Sequence, residues 1–161
     1  MEQTIEKICL TDLIENRIFI TDSNLPKEQI AGQLVKLICQ ADSRLVFKDV
    51  LQQILNREAE LSTTLDSGLS IPHARLESFD RALAALAILH KPLQEINGQT
   101  VKAIFLFITP VRSDFFQTHL RILSTAVEIL SPTIMDKLSV CTSPESVLEQ
   151  LAGVDVSREM V

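Results

Sequence analysis

The apolar positions of this chain change their period several times, and each change marks an element. LTDLI at 10–14 reads as a helical turn, followed by a strand candidate at Arg17–Ile20. In PKEQIAGQLVKLICQAD at 26–42, apolar residues fall at Ile30, Leu34, Leu37 and Ile38, which is helical spacing, with Pro26 suited to the first turn. FKDVLQQILNRE at 47–58 repeats the pattern through Phe47, Val50, Leu51, Ile54 and Leu55. A polar stretch at 61–68 breaks it. Two continuous apolar runs follow, 83–89 and 101–109, with Asn97-Gly98 between them as a tight turn. Continuous apolarity predicts strands covered on both faces. In DFFQTHLRILSTAVEIL, Asp114 and Gln117 have the spacing of a capping box. Phe116, Leu120, Leu123, Val127 and Leu130 form the expected buried stripe of that helix. Pro132 ends it, and short helices near 133–140 and 144–151 complete the pattern. The sum is an α/β sandwich in one domain, 1–161 with its core at about 8–153: a small central sheet flanked by helices on both faces.

Composition narrows what such a domain can bind. The 161 residues carry a net charge of −6, seven Phe, no Tyr and no Trp. An acidic chain with few aromatic platforms and no run of basic residues is a poor nucleic-acid binder, so no nucleic-acid partner is expected. Neither apolar run is long enough to cross a bilayer, and MEQTIEKICL lacks the layout of a secretory signal, so the expected location is cytoplasmic. Cys9, Cys39 and Cys141 form no CxxC pair and are expected to be reduced and mostly buried.

The chemistry concentrates in DSGLSIPHARLE at 66–77. Pro72 restrains Ile71 to an extended conformation and removes a backbone donor, so His73 arrives with little freedom. Taken alone, a Pro-His pair is equally a surface-loop feature. His119 lies near the start of the helix from Asp114, where the positive helix end disfavours an imidazolium. Arg57 ends the second long helix and runs into Ser62, Thr63 and Thr64. A guanidinium beside hydroxyls suits a tetrahedral dianion, whereas Glu58 and Glu60 offer it an ordinary solvated alternative. His90, isolated in LHKPL, carries no motif.

Together these residues resemble a family. REAELSTTLDSGLSIPHAR, with Arg57, Ser62-Thr63 and Gly68-Leu69-Ser70-Ile71-Pro72-His73, is similar to the active-site segment of phosphotransferase-system enzyme IIA domains of the fructose/mannitol and nitrogen-regulatory class. The likeness extends to an apolar strand ending at Pro110 and a helix carrying Thr118-His119-Leu120. It covers nearly the whole chain and implies a mixed central sheet. It implies that His73 accepts a phosphoryl group, through Nε2, from an HPr-like histidine phosphocarrier. Arg57 and His119 would stabilise the transfer, and Thr63 and Ser62 would support the phosphoryl group. Leu69, Ile71 and Leu76 would form an apolar docking rim. No metal and no cofactor enter this scheme, the phosphoryl group coming ultimately from phosphoenolpyruvate through carrier proteins. Leu61, Thr64, Asp66 and Ser67 make the loop less glycine-rich than in the family, which bears on phosphorylation efficiency.

The segment before the active-site region, and the lack of a fused IIB or IIC segment, resemble the nitrogen-regulatory type. That implies a regulator whose phosphorylation state decides its protein targets. The alternatives are a transport component passing the phosphoryl group to a IIB domain for fructose or mannitol uptake, and an interaction module of the same fold that is not phosphorylated. A metal hydrolase on His73 and His119 lacks a spaced third ligand.

Overall fold

Long apolar segments pair into one mixed sheet, and the amphipathic segments cover its two faces. The computed structural model describes residues 8–159; residues 1–7 and 160–161 at the ends of the 1–161 span lie outside the described residues. In chain order the elements are α1 (Leu10–Ile14), β1 (Ile18–Thr21), α2 (Lys27–Ala41), α3 (Phe47–Glu60), β2 (Leu69–Ser70), β3 (His73–Leu76), β4 (Leu83–Gln94), β5 (Thr100–Pro110), a 3₁₀ turn (Ser113–Phe115), α4 (Phe116–Ile129), α5 (Pro132–Leu138) and α6 (Pro144–Glu159). The sheet order is β1-β4-β5-β2, with β3 also on β5. β4 and β5 form an antiparallel hairpin, while β1 joins β4, and β2 and β3 join β5, in parallel. The hairpin turns at Asn97-Gly98, where Gly98 has φ +88°.

Strand periodicity divides the core into two layers. Ala84, Leu86 and Ile88 of β4 and Ala103, Phe105 and Phe107 of β5 face α1, α4, α5 and α6. Ala85, Ala87 and Leu89, with Ile104, Leu106 and Ile108, face α2 and α3. Burial of β4 and β5 on both faces is what their unbroken apolar runs predict.

The edge strand carries a discontinuity. β2 pairs at Ala103–Ile104 and β3 resumes at Phe107, leaving Ile71-Pro72 between them. Proline has no N–H to give to a ladder, yet its carbonyl still accepts from Phe107 N at 3.2 Å. Upstream, the polar loop closes as a turn: Gly68 N bonds Leu65 O at 3.0 Å, and Leu65 N bonds Leu69 O at 2.8 Å. Gly68 has φ +96° and its carbonyl takes Lys102 N at 2.7 Å, so the edge strand is pinned to β5.

Four expectations need correction. Asp114 does not cap a helix: residues 113–115 form the 3₁₀ turn and the Asp114 carboxylate pairs with Arg112. The buried stripe of α4 is not Phe116–Leu120–Val127, which are 48, 47 and 46 % exposed, but His119, Ile122, Ala126 and Ile129. The helix is turned by one residue, about 100°, which brings His119 against the Phe107 ring, 5.1 Å between centroids, and Ile122 and Ala126 into the same core layer. Leu69, Ile71 and Leu76 cannot form a docking rim, since each is at most 5 % exposed. They point into the core layers of the edge strand. Of the cysteines, only Cys141 is buried; Cys9 and Cys39 are half-buried.

Gly68→Ala should lower stability by about 1–2 kcal/mol, since a Cβ would meet the Lys102 side chain at 3.0 Å with φ already positive. A urea midpoint equal to that of the parent would show that this turn tolerates a side chain.

Candidate active site

β3 begins at His73, and alternation along the strand sends His73 and Arg75 to the α4 side while Ala74 and Leu76 enter the opposite core layer. Register places His73 beside Phe107, and the two rings stack with centroids 5.2 Å apart and planes 15° from parallel. Two residues further along β5, the buried Thr109 meets His119: its Oγ1 lies 2.7 Å from Nδ1. The rings of His73 and His119 stand 5.2 Å apart at 65°, edge to face. Arg57 reaches the same place from the other layer. Because β3 is an edge strand, the C-terminal turn of α3 wraps past it, and Arg57 lines one cleft of 460 Å³ with Gln53, His73, Arg75, Phe116 and His119.

The tautomer of His73 follows from its partner. Nδ1 is 2.8 Å from the Ile71 carbonyl oxygen. A carbonyl only accepts, so Nδ1 carries the proton and Nε2 keeps a free lone pair. Burial lowers the pKa of His73 below the ordinary histidine value; the Ile71 carbonyl opposes this and the Arg57 charge reinforces it. His119 is pushed down to about 4, chiefly by burial and then by the positive charges of His73, Arg75 and Arg57. Both rings are therefore neutral near pH 7. If the Thr109 hydroxyl donates to Nδ1 of His119, Nε2–H is left as a donor facing the cleft.

The carboxylates nearest the site are engaged elsewhere. Glu58, adjacent to Arg57, bonds Lys27 Nζ at 2.9 Å and accepts from the Thr63 hydroxyl. Lys27 also bonds Glu95 Oε1 at 2.5 Å. Burial would raise the Glu95 carboxyl, but Lys27, Thr64 and Ser62 together hold it below the usual range. Among the described residues, neither Arg57 nor Arg75 pairs with a carboxylate. The result is a half-open cleft lined by two guanidiniums, two neutral imidazoles and no carboxylate, with Glu58 the one negative charge felt at His73, a field suited to a dianion.

Of the residues singled out from sequence, His73, His119 and Arg57 converge. Thr63 and Ser62 do not line their cleft. Thr63 Oγ1 instead accepts from Ile71 N at 3.2 Å, and Ser62 bonds Glu95 at 3.3 Å, so both brace the loop that leads to His73. His90 is structural, its Nε2 2.7 Å from the Cys141 carbonyl. The sequence reading missed Arg75, Gln53, Phe116 and Leu120. Arg75 was findable, being two residues beyond His73 on a strand; so was Gln53, one helical turn before Arg57. Phe116 and Leu120 were hidden by the wrong face assigned to α4. Among the described residues no three His, Cys, Asp or Glu side chains converge as a metal site, and no helix is long and apolar enough to cross a membrane.

Residues 13–153 match the family described as phosphoenolpyruvate-dependent sugar phosphotransferase system, EIIA 2. The chain is 34 % identical over 135 residues to a nitrogen regulatory protein of Klebsiella oxytoca, covering 81 % of this chain and 80 % of that one. It is 26 % identical over 107 residues to a fructose-specific EIIA component of Haloferax volcanii, covering 65 % and 68 %. In three dimensions it is similar to the nitrogen regulatory protein IIA-Ntr of Neisseria meningitidis, with a TM-score of 0.75, 24 % identity and coverage of 88 % and 98 %.

Because the folded pKa values of both histidines lie below the unfolded value of 6.5, the unfolded chain binds protons first as pH falls. Their contribution is fully present above pH 6.5 and is lost towards about 4. The urea midpoint should fall across that window, and His119→Asn should reduce the slope. An equal slope in both chains would show that His119 does not titrate abnormally.

Proposed function

Since the chain belongs to the EIIA 2 family of the phosphoenolpyruvate-dependent sugar phosphotransferase system, we propose that it is a phosphohistidine carrier, loaded on His73 by an HPr-like phosphocarrier protein and acting as a nitrogen-type regulator. The observation that carries this reading is the His73 tautomer: Nδ1–H donates to the Ile71 carbonyl, so the nucleophilic lone pair sits on Nε2 in a cleft lined by Arg57 and His119.

The transfer needs no cofactor. The Nε2 lone pair of His73 attacks the phosphorus of the donor phosphohistidine. A new P–N bond forms as the donor's P–N bond breaks, and the electron pair leaves with the donor imidazole. Proline-restrained backbone, a fixed Nδ1 hydrogen bond and stacking on Phe107 hold the ring, which removes rotational freedom before the encounter. Burial keeps the ring unprotonated, so no proton must leave first. Arg57 and the Nε2–H of His119 meet the phosphoryl oxygens.

The apolar surface for the phosphocarrier is Phe116 and Leu120, roughly half exposed on the outer face of α4 and lining the cleft. The likeness to the Klebsiella oxytoca nitrogen regulatory protein supports regulation over transport. The carrier's phosphorylation state would then set which target it binds. The fructose-specific relative motivates the competing transport reading.

Incubation with phosphoenolpyruvate, the first enzyme and the phosphocarrier should add one phosphoryl group by intact mass, absent in His73→Ala. An adduct surviving that substitution would displace His73, and no adduct on the parent chain would favour a non-phosphorylated interaction module. Loss of the phosphoryl group to an added fructose- or mannitol-type IIB domain, as fast as it was taken up, would favour transport.

Arg57→Ala should slow uptake on the order of 10²-fold with unchanged circular dichroism; an unchanged rate removes Arg57 from the site. Leu120→Ser should raise the phosphocarrier concentration for half-maximal rate about fivefold or more while leaving the maximal rate intact. An unaltered half-maximal concentration would place docking elsewhere.

A further inference from the structure

Among the described residues, Arg75 carries the buried side-chain polar atom that lacks a partner. Its Nε is shielded from solvent and has no hydrogen-bond partner. One terminal nitrogen donates to the Arg112 carbonyl at 3.0 Å, and the guanidinium lies 5.5 Å from the Phe116 ring centroid. The side chain borders two spaces: the cleft of His73, Arg57 and His119, and a second notch formed with Val111, Arg112, Ser113 and Phe116. Strand alternation puts it on the same side of the sheet as His73.

A buried donor without an acceptor is costly, and a guanidinium resting on a neutral carbonyl and a half-exposed ring is weakly held. A phosphoryl dianion on His73 would bring charged acceptors to the same cleft, and a two-pronged guanidinium–phosphate contact is stronger than either present one. We propose that Arg75 is a second phosphoryl-holding guanidinium, which on phosphorylation of His73 leaves the Arg112 carbonyl and the Phe116 ring for the phosphoryl oxygens.

The consequence is a change of surface. Without the phosphoryl group, Phe116 is capped by a cation; with it, the ring is bare and the guanidinium charge is neutralised a few ångströms away. The same side chain thus holds the product and reports its presence at the apolar face beside the cleft. This rests on the phosphohistidine reading above and gives that reading a physical means for the phosphorylation state to alter protein binding. By holding the dianion, Arg75 also favours the phosphohistidine over its hydrolysis, in which water takes the phosphorus, inorganic phosphate leaves and His73 is restored.

The chain has no Trp and no Tyr, so Phe116→Trp introduces a single reporter indole. Its emission is followed through loading from the phosphocarrier, with the adduct checked by intact mass, in Phe116→Trp alone and combined with Arg75→Ala. In the native Phe116 chain, phosphohistidine lifetime is measured after removal of the donor for the parent, Arg75→Ala and Arg75→Lys. Loading should shift the indole emission, and Arg75→Ala should abolish that shift. Arg75→Ala should also shorten the phosphohistidine lifetime threefold or more, with partial recovery in Arg75→Lys. An emission change undiminished by Arg75→Ala, or an unchanged lifetime, overturns this inference and leaves the carrier function standing. Failure of the parent chain to form any adduct overturns the carrier reading and this inference with it. If Phe116→Trp cannot be loaded, the lifetimes alone decide.

Discussion

One hydrogen bond, between Nδ1 of His73 and the Ile71 carbonyl, organises the site. Pro72 cannot give an N–H to β5, so the edge strand stops at Ser70 and resumes at His73. Alternation leaves Ile71 facing away from β5: its N–H bonds the Thr63 carbonyl, and its own carbonyl is free to take Nδ1 of His73. That contact sets the tautomer, and the tautomer decides which nitrogen faces the cleft.

Around this anchor the protein separates its charges. Glu58 and Glu95 are drawn to Lys27 and to the hydroxyls of the 61–64 loop, and Asp114 to Arg112. The exposed Arg112–Asp114 pair is worth little as a surface interaction, while the Lys27 pairs are largely shielded from solvent. Their larger effect is on position, since carboxylates held there are not available to neutralise Arg57 and Arg75. The same network braces the loop: Thr63 joins Glu58 to the Ile71 amide, so the backbone entering Pro72 is tied to α3, the helix that supplies Arg57. His73 and Arg57 are therefore positioned by one connected set of bonds.

The two histidines show how burial serves chemistry. Each sits at 8 % exposure or less beside aromatic and apolar neighbours, which disfavours the imidazolium. Both imidazoles are thereby kept neutral, and His119 stays uncharged next to the cations Arg75 and Arg57. Phe107 lies against both rings, with centroids 5.2 and 5.1 Å away, so one core side chain fixes their separation.

Sequence by itself determined most of the architecture, because amphipathic period and unbroken apolar runs are local properties: α1, α2, α3, β5 and the Asn97-Gly98 turn fall where the pattern placed them, and β4 starts there but runs past the apolar stretch 83–89 to Gln94. It also singled out His73, Arg57 and His119 by residue type and flanking motif, and these three converge on one cleft. It misjudged what depends on direction. Leu69, Ile71 and Leu76 looked like a rim because they flank the motif, but a side chain's exposure on an edge strand is decided by what covers each face of the sheet. The outer face of α4 offered Phe116 and Leu120 as core candidates equally well, since a helix with apolar residues on adjoining faces has no unique rotation until Phe105 and Phe107 meet it. Arg75 was only a charge in a string. Packing alone gave it a buried nitrogen with no acceptor and a place beside the imidazole, because those are relations between β3, α4 and the 3₁₀ turn that no single segment contains.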